Sequence, residues 1–344
     1  NTHGLYVNGG SPSSDQNPHP MVTGNSIYGN NTNYYTNNFY QGASVRLDAT
    51  GNWWGSIDPV AIAQGIRDYT DYYLLPVVDA GGYLDGPGGA PAVGVSLTGP
   101  FTADTTLVAG TSYQVLGELN VPAGVTLTIP AGVELRFPKV NWELTVAGSL
   151  LVQGQSGNEV VFTSSEAVPA SGDWYGIVVV AGAGPVTIDH AVVEYATNGV
   201  YFNASGAVGV VSNSLLRNNT YGVYVRGVAS PLIGGGNEIT QNTYGLYVTG
   251  GSTINDQNPQ PVVTGNSIYG NSQYNYYTNY FYQGTTVRLD ATGNWWGSTD
   301  PVVIAQGIRD YTDSTILPTV DVGVYLDGPG GAPAVGASLT GEFT

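Results

Sequence analysis

The sequence holds one neighbouring acid–histidine pair of the kind that transfers protons in general acid–base catalysis, Asp189 and His190. The other two histidines, His3 and His19, are far from this pair along the chain. A pair without a third polar partner is more typical of a turn or a strand edge than of a catalytic centre. We therefore predict no catalytic residue.

Basic residues are few, since the chain has 8 Lys and Arg residues against 25 Asp and Glu residues and a net charge of −17. The one lysine, Lys139, follows a proline, and Arg217 and Arg226 are predicted to stand alone in turns. Binding to nucleic acid needs basic patches, so nucleic acid and anionic membrane surfaces are excluded as expected partners.

Four aspartates, Asp48, Asp58, Asp68 and Asp71, recur in a second copy of the same segment and could bind calcium through their carboxylates. Their spacing matches neither the EF-hand loop nor the Gly-Gly-x-Gly-x-Asp repeat. We therefore predict no metal site and no cofactor, with calcium as the open alternative.

Two tryptophan pairs stand in the near-identical blocks Asn52-Trp53-Trp54-Gly55 and Asn294-Trp295-Trp296-Gly297. Exposed indole rings can stack on sugar rings, whereas buried ones close an apolar core. We interpret both blocks as a structural signature that covers the open end of the fold. Sugar binding is the alternative.

Two tyrosine-rich loops are candidates for contact with a glycan or with another subunit, because aromatic side chains in polar loops offer rigid, amphipathic area. The alternative is that each loop folds back onto its own scaffold. The candidate residues are Tyr34, Tyr35, Tyr40, Tyr276, Tyr277, Tyr280 and Tyr282.

Three Asn-x-Ser/Thr sequons make Asn30, Asn203 and Asn218 candidate glycosylation sites. They matter only in a host that glycosylates asparagine, and such triplets arise by chance in an asparagine-rich chain.

Cysteine is absent, which removes disulfides without fixing the compartment. No run of 18 apolar residues is present, so no membrane span is predicted. The acidic, lysine-poor, Tyr- and Asn-rich composition is compatible with an extracellular or cell-surface location, which we take as the expectation.

A long internal repeat dominates the sequence. Residues 41–71 match residues 283–313 at 27 of 31 positions, and the offset between the copies is 241 or 242 residues. We predict the end of one unit at residues 1–84, a Gly/Pro linker at 85–94, a complete unit at 95–325, and a linker with the start of a third unit at 326–344. The chain is thus read as a segment of a larger protein.

Short strands with one buried face fill the complete unit, as the alternation of Val125, Leu127 and Ile129 illustrates. Gly199, Gly222 and Gly245 recur at steps of 23 residues within similar strands. Equal steps with like residues in register favour a coil that stacks each strand above its predecessor, which is a parallel β-helix.

One helix is predicted in each copy, because Pro59 follows a capping Asp58 and Val60, Ala63 and Ile66 share a helical face. The second copy of this helix is expected from Pro301 to about Arg309.

The opening segment at 119–137, the segments at 174–177 and 192–196, and the closing Asn-Trp-Trp-Gly block together resemble right-handed parallel β-helix proteins of the pectin-lyase-like superfamily. Within it, the sequence is similar to non-enzymatic bacterial and archaeal surface proteins and to NosD-type proteins. The resemblance implies an all-β, right-handed solenoid in which the Trp-Trp block and its trailing helix close the coil. The clustered carboxylates of the superfamily's enzymes are not found.

These observations lead to one expected function and one alternative. The first is a structural repeat of an extracellular fibre, stalk or adhesin that joins copies of itself head to tail and is not an enzyme. The alternative is a carbohydrate-active or glycan-binding β-helix, a polysaccharide lyase or hydrolase, with surface glycans as partners.

Overall fold

The computed structural model describes residues 1–10, 17–92, 95–203, 206–250 and 258–334. Strands dominate these ranges, and the strand ladders are parallel. The expected all-β solenoid is therefore confirmed.

Residues 1–92 contain five strands and one helix: β1 (His3–Asn8), β2 (Thr32–Asn37), β3 (Arg46–Asp48), α1 (Pro59–Gln64), β4 (Ile66–Arg67) and β5 (Val77–Asp79). A short 3₁₀ turn, Gly42–Ser44, precedes β3.

Residues 95–203 contain β6 (Val95–Pro100), β7 (Thr105–Thr106), β8 (Ser112–Val121), β9 (Thr126–Pro130), β10 (Glu134–Phe137), β11 (Glu143–Val146), β12 (Ser149–Gln153), β13 (Val160–Ser164), β14 (Trp174–Val180), β15 (Val186–Asp189), β16 (Ala191–Glu194) and β17 (Ala196–Asn203). The described residues that follow contain β18 (Val210–Ser212), β19 (Leu215–Arg217), β20 (Tyr221–Arg226), β21 (Leu232–Gly234), β22 (Glu238–Thr240), β23 (Tyr244–Thr249), β24 (Val262–Thr264), β25 (Ser267–Tyr269), β26 (Tyr274–Asn279), a 3₁₀ turn Gly284–Thr286, β27 (Arg288–Asp290), α2 (Pro301–Gln306), β28 (Ile308–Arg309) and β29 (Thr319–Asp321).

The strands form three faces of one coil. Face A is the stack β10, β13, β16, β19, β22 and β25; face B is β11, β14, β17, β20, β23, β26 and β28; face C is β7, β9, β12, β15, β18, β21 and β24. The long strand β8 bends around the corner, pairing with β10 on face A and with β11 on face B. Each turn of the chain visits B, C and A in order, so strands inside each stack pair with strands of the preceding and following turns.

The core is a set of columns of inward-facing side chains, because alternate residues of each strand point into the coil. On face B one such column is fully buried and unbroken over seven turns. It consists of Leu144, Ile177, Val200, Val223, Leu246, Tyr276 and Ile308.

The 23-residue glycine step has a direct structural cause. A Cβ atom on Gly222 would lie 2.6 Å from the carbonyl oxygen of Gly245, and one on Gly199 would lie 2.5 Å from the carbonyl oxygen of Gly222. At these two positions in the strands of face B the backbones of successive turns touch, so only glycine fits.

Buried asparagines stack at two corners of the coil. At the corner from face A to face B, Asn242 Oδ1 accepts from the Asn219 backbone N–H at 2.9 Å, and Asn242 Nδ2 donates to Asn271 Oδ1 at 3.1 Å. At the corner from C to A, Asn266 Nδ2 donates to Asn294 Oδ1 at 2.9 Å. The amide ladders thus satisfy backbone groups that the turns leave unpaired.

Each helix is shorter than predicted, and its buried face differs. Asp58 caps α1 as expected, since its carboxylate accepts from the Val60 N–H at 3.0 Å. The buried residue of α1 is Ile62, whereas Val60 and Ala63 are only partly covered. The second helix ends at Gln306, not Arg309, because Ile308 and Arg309 pair with face B as β28.

The prediction that the Trp-Trp block and its trailing helix close the coil agrees with the position of the helix but is wrong by one turn for the tryptophans. Trp295 forms a parallel bridge with Ser267, so the block lies in the wall of face A. The chain then passes through α2, β28 and β29 before the Leu326 N–H donates to the Asn294 carbonyl at 2.9 Å. The last layer is therefore the helix and the two short strands that follow it.

The predicted linker has a defined conformation over its described part. Leu84 and Pro91 form an antiparallel bridge, and the Asp85 N–H donates to the Ala90 carbonyl at 2.8 Å. This stretch is a tight hairpin and not an extended spacer. The predicted start of a third unit lies outside the described residues from position 335 onward.

Candidate functional site

The structure contains one internal boundary between consecutive repeats, which we call the joint. It is formed by β3, α1 and β5 of the first copy and by β6 and β8 of the second. Among the described residues no strand of 1–92 pairs with a strand of 95–334, so the hydrogen-bonded sheets stop at the joint and start again beyond it. The coil nevertheless continues across this break.

Apolar side chains fill the joint. The Val77 side chain packs against the bare backbone of Gly99, where an added Cβ atom would lie 2.6 Å from Val77 Cγ2. Leu116 belongs to the second copy in sequence, but its side chain is buried in the hydrophobic cluster of the first copy. The Thr70 methyl group lies beside Gly117, where a Cβ atom would meet it at 2.9 Å. The two copies therefore share core contacts without sharing a sheet.

Few polar contacts cross the joint. Arg46 Nη1 donates to the Thr98 carbonyl at 3.3 Å, and the Gly82 N–H donates to Ser96 Oγ at 3.1 Å. Arg46 also forms an ion pair with Asp79 at 3.2 Å on its own side. Side-chain packing, and not strand pairing, holds the copies together here.

Asp68 is the buried acid of the joint. Its carboxylate accepts from the Val78 N–H at 2.9 Å and from the Thr70 N–H and hydroxyl at 2.9 and 2.7 Å. Burial nevertheless raises the pKa of Asp68 to about 6, and the nearby Asp71 carboxylate adds to the shift. On the opposite side of the joint, burial also raises the pKa of Glu118.

The second copy presents the same surface at its own far end. There the counterpart of partly buried Val60 is Val302, which is 62% exposed, and the counterpart of Gly82 is Val324, which is 50% exposed. The buried Val77 becomes the partly exposed Thr319. Covering by β6 and β8 therefore accounts for the lower exposure of Val60, whereas Asp68 and its counterpart Asp310 are buried in both copies.

The aspartates proposed for calcium have structural partners. Asp48 and Asp68 each accept from a threonine two residues on, Asp58 caps α1, and Asp71 accepts from the Asp68 N–H at 3.0 Å. Over the described ranges no group of three or more His, Cys, Asp or Glu side chains is placed to hold a metal ion.

The Asp189–His190 pair lies at the corner from face C to face A. His190 Nδ1 lies 3.0 Å from Asp189 Oδ2, and the other carboxylate oxygen accepts from Ser212 Oγ and Asn213 Nδ2. The pair thus belongs to a polar turn ladder, as the sequence suggests for a turn histidine.

Two basic residues have ion-pair partners that the sequence analysis did not foresee. Arg217 was expected to stand alone but pairs with Glu194 at 2.8 Å, because the two occupy the same column on successive turns of face A. Lys139 Nζ lies 3.5 Å from the buried carboxylate of Asp173.

The tryptophans are divided between core and surface. Trp54 and Trp296 are buried in the cores of their copies and cannot stack on an external sugar. Trp53 and Trp295 are partly exposed, and their backbones form the wall bridges to Ser26 and Ser267.

The tyrosine candidates also separate into two groups. Tyr34 and Tyr276 are fully buried, so the prediction that they contact a glycan or a subunit is wrong: both point into the coil. Tyr35 and Tyr277 point outward, each 4.7 Å below the guanidinium group of Arg67 or Arg309. The other three candidates are at least partly exposed: Tyr40, Tyr282 and Tyr280, the last of these to 69%.

The sequon asparagines differ in their surroundings. Asn30 is partly exposed and donates to the Tyr28 carbonyl at 3.1 Å. Asn203 accepts from the Tyr201 hydroxyl at 3.0 Å, and the rest of its sequon lies outside the described residues. Asn218 is partly exposed in a turn with φ of 56°. All three remain predictions.

Sequence reasoning predicted head-to-tail contact between copies but did not identify the residues of the joint, although a signal for one of them was present. The strand Ser96-Leu97-Thr98-Gly99 recurs as Ser338-Leu339-Thr340-Gly341. A glycine retained inside a strand indicates close approach of another chain segment, and here that segment is Val77.

Comparison with known proteins agrees with this architecture. Residues 99–201 match the family model described as a pectate-lyase-like β-helix domain. No match was found among curated proteins, and none among solved structures. The chain thus has a parallel β-helix fold, and residues 99–201 are similar to a pectate-lyase-like β-helix domain, in agreement with the resemblance to the pectin-lyase-like superfamily. None of the helices in the described ranges has the length and apolar character needed to cross a bilayer.

Proposed function

We propose that this chain is a structural segment of an extracellular or cell-surface rod, in which consecutive β-helix repeats stack end to end and no reaction is catalysed. The observation that carries the proposal is the joint, where β6 and β8 of one repeat cover the helix and last strands of the preceding repeat. An open β-helix end invites uncontrolled strand pairing, and covering it with the next repeat removes that hazard.

The joint also supports propagation in one direction. The covered surface belongs to the end of a repeat and the covering surface to its beginning, so the contact is head to tail and does not close on itself. Repeat proteins of this kind gain stability from each neighbour interface, so a longer array is more stable than a single unit.

The number of strand steps gives the axial length that we expect for one repeat. From β1 to its counterpart β23 there are eight paired steps, β1–β2–β4 and β6–β8–β11–β14–β17–β20–β23, and one step across the joint, from β4 to β6, where no strands pair. We count the step across the joint as equal to the others. At roughly 4.8 Å per step, the axial repeat is about 43 Å.

Electron microscopy of the native material tests the proposal. Rods with an axial period of about 43 Å are expected. Compact, separate particles with no rods, sheets or stalks would contradict it.

The alternative function is a carbohydrate-active or glycan-binding β-helix, with calcium as its conceivable cofactor. The match of residues 99–201 to a pectate-lyase-like domain favours it. Incubation with a panel of polysaccharides separates the two candidates: release of unsaturated or reducing ends would support the enzyme and overturn the structural proposal. Absence of both release and retention would remove the alternative.

A further inference from the structure

Seven tyrosines form two columns on the outside of face B, which we call the tyrosine face. Six of them are partly exposed, and Tyr201, at the edge of the face, is only 4% exposed. The register places Tyr201, Tyr224, Tyr247 and Tyr277 on four successive turns. Beside them Tyr221, Tyr244 and Tyr274 occupy three successive turns. The first column ends at Arg309, which pairs in register with Tyr277.

The rings of the tyrosine face pack mainly on one another. Tyr201 and Tyr224 stack at 4.5 Å between centroids and Tyr247 and Tyr277 at 4.8 Å, with interplanar angles of 10° and 15°. Tyr244 meets Tyr247 edge to face at 5.4 Å. Because neighbouring rings already contact the ring faces, the outer surface offers mostly ring edges and hydroxyl groups. Stacking of a sugar ring on a tyrosine ring is therefore disfavoured.

The tyrosine face is also free of negative charge. The five strands that build it, β17, β20, β23, β26 and β28, contain no Asp or Glu and two charged residues, Arg226 and Arg309. The whole chain carries a net charge of −17. Two copies repel each other when acidic surfaces meet, whereas on this face they can approach without that cost.

The hydroxyl groups make the face complementary to itself. Those of Tyr221, Tyr224, Tyr244, Tyr274 and Tyr277 have no hydrogen-bond partner among the described residues, and the Tyr247 hydroxyl accepts from Asn279 Nδ2 at 3.3 Å. A phenol both donates and accepts a hydrogen bond, so one such face can pair with an identical one. Tyrosine is also enriched in protein interfaces.

We infer that the tyrosine face binds the tyrosine face of a second copy of this chain, so that rods associate side by side. The first copy repeats the end of the first column, because Tyr6, Tyr35 and Arg67 occupy the positions of Tyr247, Tyr277 and Arg309. The second column does not recur there, since His3 and Thr32 take the places of Tyr244 and Tyr274. This inference rests on the proposed rod, since repetition of the contact along two rods supplies its strength.

The size of the face sets the affinity to be expected. Five turns at roughly 4.8 Å make it about 20 Å long, so it covers well below the roughly 800 Å² per partner of a stable complex. One pair of faces associates weakly, and repeated pairs along two rods associate strongly through their high effective concentration.

Sedimentation velocity of the intact chain, from about 10 µM to about 1 mM, covers the range expected for such a weak contact. We expect the average mass to rise with concentration and to rise further with added salt, which screens the repulsion between acidic copies. The double substitution Tyr224→Ser/Tyr247→Ser should weaken association by at least about tenfold.

Two further variants keep the test decisive. Arg226→Glu leaves all the rings in place but introduces negative charge beside them, and it should also weaken association. Leu232→Ser/Val262→Ser alters an exposed apolar column on face C and is the matched control, with no expected effect. Melting temperatures identify any variant that fails to fold.

Three outcomes would overturn the inference: a mass that is independent of concentration and salt, an equal loss of association in the face C control, or retention on polysaccharide that the tyrosine variant loses while the chain stays monomeric. The last would make a glycan the occupant of the face. Single, unpaired rods under the microscope would reject lateral association and leave the proposed end-to-end function intact.

Discussion

Val77 and Gly99 belong to different repeats, and the side chain of the first occupies the space that a side chain on the second would need. This contact is the centre of the joint, since Val77 is fully buried there. Gly99 also has φ of 68°, a conformation that costs other residues energy. Both its conformation and its surroundings therefore require glycine.

Replacing Gly99 with alanine should destabilise the joint. The positive φ costs about 1–2 kcal/mol, and the clash with Val77 adds about 1–3 kcal/mol. Scanning calorimetry and limited proteolysis at the joint measure the effect. The matched control is Gly110→Ala, because Gly110 has φ of 66° and open space around its Cβ position. Equal losses in both variants would mean that the contact with Val77 is unimportant.

The buried tryptophan of the second copy should matter more than its neighbour. Trp296→Ala should cost about 3–5 kcal/mol, because it leaves a large cavity in the core. Trp295→Ala should cost less, since its ring is partly exposed. Chemical denaturation of each variant checks the order, and an unchanged stability of Trp296→Ala would show that its ring is not part of the core.

The stability of the fold should depend on Asn242, the middle residue of the asparagine ladder Asn219–Asn242–Asn271. Asn242→Ala removes the acceptor of the Asn219 N–H and the donor to the Leu216 carbonyl. Each buried group left unpaired costs about 1–3 kcal/mol. Gln153→Ala, at an exposed strand end, serves as control and should change stability by less than about 0.5 kcal/mol. Comparable losses in the two variants would argue against the ladder.

Stability at the joint should rise as the solution is acidified. The pKa of Asp68 is raised from its ordinary value of 3.8 to about 6 in the folded chain. Between these two pH values the carboxyl group is protonated in the folded state and ionised in the unfolded state. Lowering the pH through this window therefore stabilises the fold, by up to about 1.4 kcal/mol per pH unit. Above about pH 6 the buried Asp68 carboxylate destabilises the fold by its full amount, and below about pH 3.8 this destabilisation is absent.

Denaturation at several pH values, with Asp68→Asn for comparison, tests this dependence. The difference between the two proteins isolates Asp68 from Glu118, whose raised pKa acts in the same direction. A stability difference that does not change with pH would exclude Asp68 as its source.

The strands and the coil could be predicted from the sequence because the patterns that indicate them lie within short stretches of the chain. The alternation of Val125, Leu127 and Ile129 and the 23-residue step of Gly199, Gly222 and Gly245 report on strands and on turns in register. The cap of α1 was equally accessible, since Asp58 and Pro59 act within one helical turn.

Tyr276 shows where local reading failed. Its segment was read as a loop of equivalent tyrosines, although Tyr276 aligns with Leu246 and therefore points inward, whereas Tyr277 aligns with Tyr247 and points outward. Aligning the sequence of one turn with that of the next distinguishes the inward-facing Tyr276 from the outward-facing Tyr277. Aligning turns could not identify the joint itself, because Val77 and Gly99 meet through the stacking of whole repeats. The retained Gly99 indicates a close approach in the sequence but does not identify Val77 as the partner.

The break in the sheets at the joint also has an evolutionary consequence. Each repeat closes its own hydrogen-bonded ladders, so duplication or loss of one genetic unit leaves every remaining strand in register with the same partners. A lineage can thus lengthen or shorten the molecule by recombination between near-identical copies, and each intermediate length remains a foldable protein.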